Sequence, residues 1–353
     1  MRIAIAAEIA PAKSLIPIIK SLDAEIIGLT HGNGVKNLLE PYCTKIYNIG
    51  HGRKKESEKR SNFKIAYLVL RDIIKAAESL RGQDIDLLLT CGNAGDVRKG
   101  IAAAKILKIP TLHIEQDIYN PIEMIAFSNL VTAPSQKYKN FMEETYGLTN
   151  VQIIGGYPMA SYVNMKKLNS VSKVKNHDDF LLMVLGGDIK PENLPKIIEI
   201  LEYLDRYVII VPFRFKSEYI SNYINSPKLK VLDGYVDLLP LMKACSGMIY
   251  GAGMGLTIEA GVLGIPSIKL AGFHHQHASV DLANELEIPV LDIEAVPKAI
   301  ETLNKPKGQH LIKNGEKSVS KVVELINNFN FEKITTSGVS SMRRIWKQRS
   351  KFR

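Results

Sequence analysis

Apolar and polar positions along this chain alternate between two periods. Short apolar runs at 3–7, 25–29, 45–49, 86–90, 111–114, 130–133 and 151–154 have the length of buried strands. Between them come stretches with apolar residues every three or four positions, such as Leu15, Ile18, Ile19 and Leu22, or Ile65, Leu68, Val69, Ile73, Ile74 and Ala77. That is the spacing of one helix face. A polar stretch at 160–179, with Lys166, Lys167, Lys173 and Lys175 and no apolar period, reads as a linker or an irregular lead-in to a second domain. The alternation then resumes, with strands predicted at 180–185, 207–211, 230–232, 248–250 and 267–270 and helices at 194–204, 215–224 and 237–244. A last helix at 308–329 has the period to pack back across both halves. Strands alternating with helices in both halves predict an α/β protein of two doubly wound domains facing across a cleft. The expected boundaries are 1–157 for the first domain, 158–330 for the second and 331–353 for a C-terminal tail.

One unit stands apart in its turn chemistry. Tyr250 ends an apolar run and is followed by Gly251-Ala252-Gly253-Met254-Gly255, then by Thr257 and Glu259 in a helical stretch that Gly261, Gly264 and Pro266 close. A glycine turn running from a strand into a helix leaves backbone N–H groups without partners, where the helix dipole adds positive charge. That is a seat for an anion, and phosphate is its usual occupant. Glu259 lies six residues beyond Gly253, about one and a half helical turns in. From there its carboxylate misses a diphosphate but can accept from the hydroxyls of an adjoining ribose. An ordinary βαβ turn, with glycines kept for tight packing, is the alternative.

Composition narrows the class. With 353 residues, 46% hydrophobic and 23% charged, the chain has the make-up of a folded globular protein with room for two domains. No uncharged apolar run approaches the roughly 20 residues of a membrane span. Residues 1–10 read as a strand and not as a basic leader with an apolar core, so a cytoplasmic location is expected. Cys43, Cys91 and Cys245, odd in number and far apart, suggest neither a disulfide framework nor a thiolate zinc site. Neither a metal nor a cofactor is expected.

The net charge is +10, and +7 of it falls between Lys333 and Arg353. There Arg343, Arg344, Lys347, Arg349, Lys351 and Arg353 are interleaved with Trp346 and Phe352. This composition suits an anionic membrane surface, which would place the protein peripherally on the inner face of a membrane. A solvated terminus is the alternative. Nucleic acid would accept the same charges, but it is not an expected partner.

The first half offers candidate acids and bases. Thr30-His31-Gly32-Asn33-Gly34 follows the second predicted strand, and in open parallel sheets ligands collect at the carboxyl ends of strands. His31 serves there either as a general base or as a cap for the following helix. Asp96, at the start of the helix after the fourth strand, reads as a helix cap. Beyond 111–114 the carboxylates Glu115, Asp117 and Glu123 gather near His113, at the edge His31 also occupies. Glu115 ranks first as a base because it ends an apolar strand, where desolvation raises a carboxyl pKa. His31 and Asp117 follow. The basic loop at 51–60 is either a solvated connection or part of a site for an anionic acceptor.

A family resemblance covers much of the chain. Gly186-Gly187, Tyr235-Val236-Asp237, Gly251-Ala252-Gly253, Thr257-Ile258-Glu259-Ala260, Gly264-Ile265-Pro266 and His275-Gln276 resemble the donor domain of GT-B glycosyltransferases. They are most similar to the family that adds N-acetylglucosamine to the lipid-linked intermediate of bacterial peptidoglycan. The resemblance implies a donor site made of Gly187, Tyr235, Gly251, Ala252, Gly253, Met254, Gly255, Thr257, Glu259, His275 and Gln276. Glu259 would then hold ribose, and Gln276 would contact the sugar. His274, His275 and His277 crowd one loop, and the same resemblance favours sugar contact there over metal ligation.

In the first half, the run from Leu87 to Asn93, Ile109-Pro110-Thr111-Leu112-His113-Ile114-Glu115, Pro121-Ile122-Glu123 and Ala133-Pro134-Ser135 resemble the non-hydrolysing UDP-N-acetylglucosamine 2-epimerases. Asn93 stands where those epimerases carry an aspartate, and 6–11 lacks the transferase family's acceptor loop. Together the motifs imply a GT-B enzyme of two Rossmann-like domains. It would move a sugar from a UDP-sugar donor, a UDP-N-acetylhexosamine, to a lipid-linked or cell-envelope acceptor. The alternatives are a 2-epimerase or sugar-nucleotide hydrolase of the same fold, and a non-catalytic nucleotide-sugar-binding scaffold.

Overall fold

The apolar runs become strands, each parallel to its neighbours, in the computed structural model, which describes residues 1–50, 62–167, 179–187, 189–213, 215–234, 236–251, 253–272, 277–328, 330–331 and 334–351. β1 (Arg2–Ala6), β2 (Glu25–Thr30), β3 (Lys45–Asn48), β4 (Leu87–Cys91), β5 (Thr111–Ile114), β6 (Leu130–Ala133) and β7 (Val151–Ile153) form one sheet in the order β3-β2-β1-β4-β5-β6-β7. β1 is central, with Ile3 paired to both Ile26 and Leu87. Ile3, Ile5, Leu29, Leu88 and Leu112 are fully buried, as strands covered on both faces require. Each such side chain contributes about 1.5–3 kcal/mol. The helix Ile9–Lys20 adds Leu15, Ile16 and Ile18 to this core.

The second sheet holds β8 (Leu181–Val184), β9 (Val208–Val211), β10 (Leu229–Val231), β11 (Gly247–Tyr250), β12 (Ser267–Leu270) and β13 (Val290–Leu291) in the order β10-β9-β8-β11-β12-β13. Leu181, Met183, Ile210, Ile249 and Ile268 pack there with Leu194, Ile198 and Leu201 of the helix Leu194–Tyr203. In each sheet the winding reverses once, between β1 and β4 and between β8 and β11. At such a switch point the loops at the carboxyl ends diverge and leave room for a ligand.

Two compact units result: Met1–Tyr162 with the described residues from Lys313 onward, and Val163–Ile312. The chain leaves the first unit within the helix Pro158–Lys167 and returns within the helix Gln309–Asn328. The expected segments 158–330 and 331–353 therefore do not coincide with the units. The expected linker begins as helix, because Met159, Ala160, Tyr162 and Val163 are buried along it; residues 168–178 lie outside the described residues. Nor is the basic segment a solvated terminus. Gly338–Lys351 is a helix packed on Gln136–Tyr146 and on the turn Glu123–Phe127. It buries Ile345 and Arg349 and exposes Arg343, Arg344, Trp346 and Lys347. No described helix is long and apolar enough to cross a membrane.

Candidate functional site

At the first switch point the end of β2 and the turn after β4 bring a histidine and a carboxylate together. Gly92 makes that turn at φ 82, and a Cβ there would stand 2.5 Å from Pro11 of the helix after β1. Glycine thus lets the two loops close on each other. Asp96 follows, wholly buried, in the first turn of the helix Gly95–Leu107. The cap position belongs to Ala94, and the Asp96 carboxylate turns to His31 instead. His31 Nδ1 lies 2.7 Å from both carboxylate oxygens, and its backbone N–H donates to Oδ2 at 3.0 Å. Thr30 Oγ1 donates to the same oxygen at 3.3 Å. An ionised carboxylate only accepts, so Nδ1 carries the proton and Nε2 is the basic nitrogen.

The hydrogen bond to Asp96 holds the His31 pKa above its ordinary 6.5, against the opposing effect of burial and with help from the charges of Asp96 and Glu8. The imidazole keeps 19% of its side-chain surface exposed. Behind Asp96 stands buried Lys99, 3.7 Å from Asp96 and 3.1 Å from Asp72, which Arg71 holds at 2.8 Å. Burial works to raise the Asp72 carboxyl, but the hydrogen bonds and charges of Arg71 and Lys99 outweigh it and bring the pKa below its usual value. Each buried carboxylate in this row faces a cation, the arrangement that makes a buried charge tolerable.

The acids beyond β5 are closed in by comparison. Buried Glu115 accepts the backbone N–H groups of Gln116 and Asp117 on Oε1, at 2.9 and 2.8 Å. Its Oε2 lies 3.3 Å from His113 Nε2, whose Nδ1 meets Thr90 Oγ1 at 2.8 Å. Both Glu115 oxygens are thus engaged within its own strand and turn, and Asp117 is buried beside it. Glu123 is gripped by Arg98 at 2.5 and 3.0 Å and by Arg349 at 3.0 Å. Burial acts to raise its carboxyl, but Arg98 and then Arg349 pull it below the ordinary value. Asn93 Nδ2 donates to the Asn120 carbonyl at 3.1 Å, and the Asn120 side chain accepts from Arg349 Nε at 3.0 Å.

The second switch point is built from backbone. Gly251 donates its N–H to the Val184 carbonyl at 3.1 Å, so that group serves the sheet and not an anion. Gly253 precedes the helix Met254–Leu263 at φ 151, with open space where a Cβ would stand. It offers no side chain to cap the first N–H groups of the helix, around Met254 and Gly255. Thr257 is buried, donating to the Gly253 carbonyl at 3.2 Å and accepting from Tyr250 OH at 3.1 Å. It braces the turn from behind. Glu259 is 2% exposed in the same helix. Lys269 of β12 is also 2% exposed, donates to the Gly251 carbonyl at 3.4 Å and lies 5.4 Å from the centre of the Tyr250 ring.

At the end of β8, Gly187 is exposed, and the Phe213 ring lies 3.4 Å from where its Cβ would be. Tyr235, Ala252, His274, His275 and Gln276 lie outside the described residues. His277 Nδ1 accepts from the Ser279 N–H at 3.0 Å and caps the helix Ala278–Glu285. Among the described residues no group of three or more His, Cys, Asp or Glu side chains is placed to hold a metal.

Sequence reasoning passes over Lys269, Phe213 and the true partner of Asp96. Lys269 does leave a signal, a cation inside a buried apolar run. The His31–Asp96 pair leaves none, since its members are 65 residues apart.

Residues 101–331 match the family described as "Protein of unknown function (DUF354)". No curated protein matches the chain. Among solved structures, the UDP-GlcNAc 2-epimerase of Neisseria meningitidis bound to UDP-GlcNAc is 17% identical over 93% of this chain and 100% of that one, with a TM-score of 0.70. The UDP-GlcNAc 2-epimerase of Methanocaldococcus jannaschii, in complex with UDP-GlcNAc and UDP, is 20% identical over 93% and 99%, with a TM-score of 0.68. MurG of Acinetobacter baumannii, a GlcNAc transferase, is 16% identical over 93% and 99%, with a TM-score of 0.52. What is shared at these identities is the fold: this chain has the GT-B fold, as its motifs implied.

Proposed function

The chain belongs to the DUF354 family, and we propose that it is a UDP-sugar-dependent glycosyltransferase whose donor is a UDP-N-acetylhexosamine. The observation that carries this reading is the uncapped, glycine-opened helix start at the β8/β11 switch point, with Lys269 buried behind it. The donor diphosphate sits on the N–H groups from Gly253 to Gly255, with Gly187 alongside. Charge developing on the leaving diphosphate is stabilised by those fixed dipoles without an obligatory metal. Glu259 holds the ribose, and Tyr235, His275 and Gln276 complete the contacts to base and sugar.

In the first unit His31, oriented by Asp96, takes the acceptor's proton on Nε2. It replaces Glu115 as the leading base because both Glu115 oxygens are engaged. The exposed Arg343, Arg344, Trp346 and Lys347 support contact with an anionic membrane surface, where a lipid-linked acceptor would reside. A second reading, 2-epimerisation or hydrolysis of the sugar nucleotide, is supported by the epimerases that share the fold. Against it stands Asn93, an amide that takes up no proton and whose Nδ2 is committed to the Asn120 carbonyl.

Calorimetric titration with UDP and UDP-N-acetylglucosamine, on the wild type and on Glu259→Gln, tests the donor site. Binding weakened about tenfold or more, roughly 1.4 kcal/mol, at unchanged melting temperature is expected. No binding of either ligand by the wild type overturns the donor assignment. Turnover of UDP-N-acetylglucosamine without any acceptor, to its 2-epimer or by water to UDP and free sugar, would favour the second reading.

A further inference from the structure

Among the described residues, Asp84, Lys108, Asp205, Phe213 and Glu287 have positive φ without being glycine. Four of them lead into the amino ends of strands: Asp84 into β4, Lys108 into β5, Asp205 into β9 and Glu287 into β13. Turns there are remote from the edge where ligands bind. Phe213 alone follows the carboxyl end of a strand, two residues past Val211 of β9. It sits in a turn closed by the Phe215 N–H on the Pro212 carbonyl at 3.0 Å, with φ 55. Glycine is the ordinary residue for that conformation, and a bulky side chain is disfavoured in it. Burial does not offset the strain, because Phe213 is 65% exposed.

A strained, exposed aromatic at the functional edge calls for a ligand. β9 neighbours β8, and the Phe213 ring lies against Gly187, at the very turn that flanks the β8/β11 switch point. A flat aromatic face beside an anion seat matches a molecule carrying a planar base a short distance from a diphosphate.

We propose that Phe213 is the face on which the base of the bound nucleoside diphosphate stacks, an inference that rests on the donor reading above. Stacking explains both oddities at once, since the base covers the exposed ring and the left-handed turn aims it. Because every base has a π-face, Phe213 adds affinity without selecting uracil.

The test is calorimetric titration of the wild type, Phe213→Gly, Phe213→Leu and Phe213→Tyr with UDP, together with their thermal melts. Phe213→Gly relieves the backbone and is expected to melt at or above the wild-type temperature, while its Kd for UDP rises about tenfold. Phe213→Leu, which keeps an apolar side chain but loses the ring, weakens UDP similarly, and Phe213→Tyr binds like the wild type. Wild-type affinity in the glycine or leucine variant, or a tyrosine variant as weak as leucine, overturns stacking while leaving the donor site standing. No UDP binding by the wild type overturns the donor reading, and this inference falls with it.

Discussion

The two switch points share a topology and almost nothing else. Both lie where a parallel sheet reverses its winding. The first is furnished with side chains: His31 on Asp96, Lys99 between Asp96 and Asp72, and Arg98 and Arg349 on Glu123. The second is furnished with backbone, a helix start opened by Gly253, and Lys269 is the side chain packed against its turn. Topology thus decides where a ligand can bind, and the residues in the loops decide what chemistry meets it. Side chains that gain and lose protons make the first edge answer to pH, while fixed N–H dipoles make the second answer to whatever blocks or twists the turn.

The largest effect should come from the first edge. His31→Ala is expected to lower kcat for sugar transfer by about 10²–10⁴, or roughly 3–5 kcal/mol in the barrier, with UDP affinity unchanged. Asp96→Asn should cost less and move the acid limb of kcat/KM to lower pH, because the Asp96 hydrogen bond is what raises the His31 pKa above 6.5. Rate profiles from acid to alkaline pH check both. An acid limb that stays in place in Asp96→Asn would break the division of labour between the two edges.

The second edge should respond to a single methyl group. Gly253→Ala forces an L side chain to φ 151, a strain of about 1–3 kcal/mol, and sets the new methyl where the anion approaches. UDP binding should weaken about tenfold or more. Gly95→Ala, at the start of the corresponding helix in the first unit, is the control. It has open space around it and no unusual φ, so it should leave UDP binding alone and stabilise by about 0.4–1 kcal/mol. Urea titrations with and without UDP separate the two outcomes, and equal behaviour of the two glycines would erase the contrast.

How much of this was legible in the sequence depends on whether the signal is local. Strands buried on both faces print as apolar runs, and the half-exposed edge strands β3 and β10 still stand out between polar turns, so twelve strands could be placed and only β13, Val290–Leu291, was too short to register. The turn at 251–255 was legible because a strand running through glycines into a helix is made of consecutive residues. Within it, only geometry separates the Gly251 N–H, spent on Val184, from the groups beyond Gly253. The charged site was hidden for a different reason. Asp96 looked like a cap because His31, its partner, is 65 residues away, and Arg349 looked like part of a membrane-facing or solvated tail because Glu123 is 226 residues away. Pairings of that separation are set by the order of strands in the sheet, which no short window of sequence contains.

The smallest effect is on stability, and it isolates the titrating edge. Folded His31 holds its proton more tightly than an unfolded histidine, so its contribution is fully present below the ordinary value of 6.5 and is lost as pH rises through the raised folded value. Asp72 and Glu123, both lowered in the fold, act in the opposite sense. Their contributions are present above the ordinary values of 3.8 and 4.5 and disappear as acid passes through the lowered ones. The windows do not overlap, so His31 can be read alone. Urea midpoints of the wild type and His31→Gln, followed upward from about pH 6, should differ most at the acid end and converge as pH rises. A difference that stays constant with pH would mean that His31 and Asp96 share a hydrogen bond but no extra proton affinity, and the first edge would then be as fixed in charge as the second.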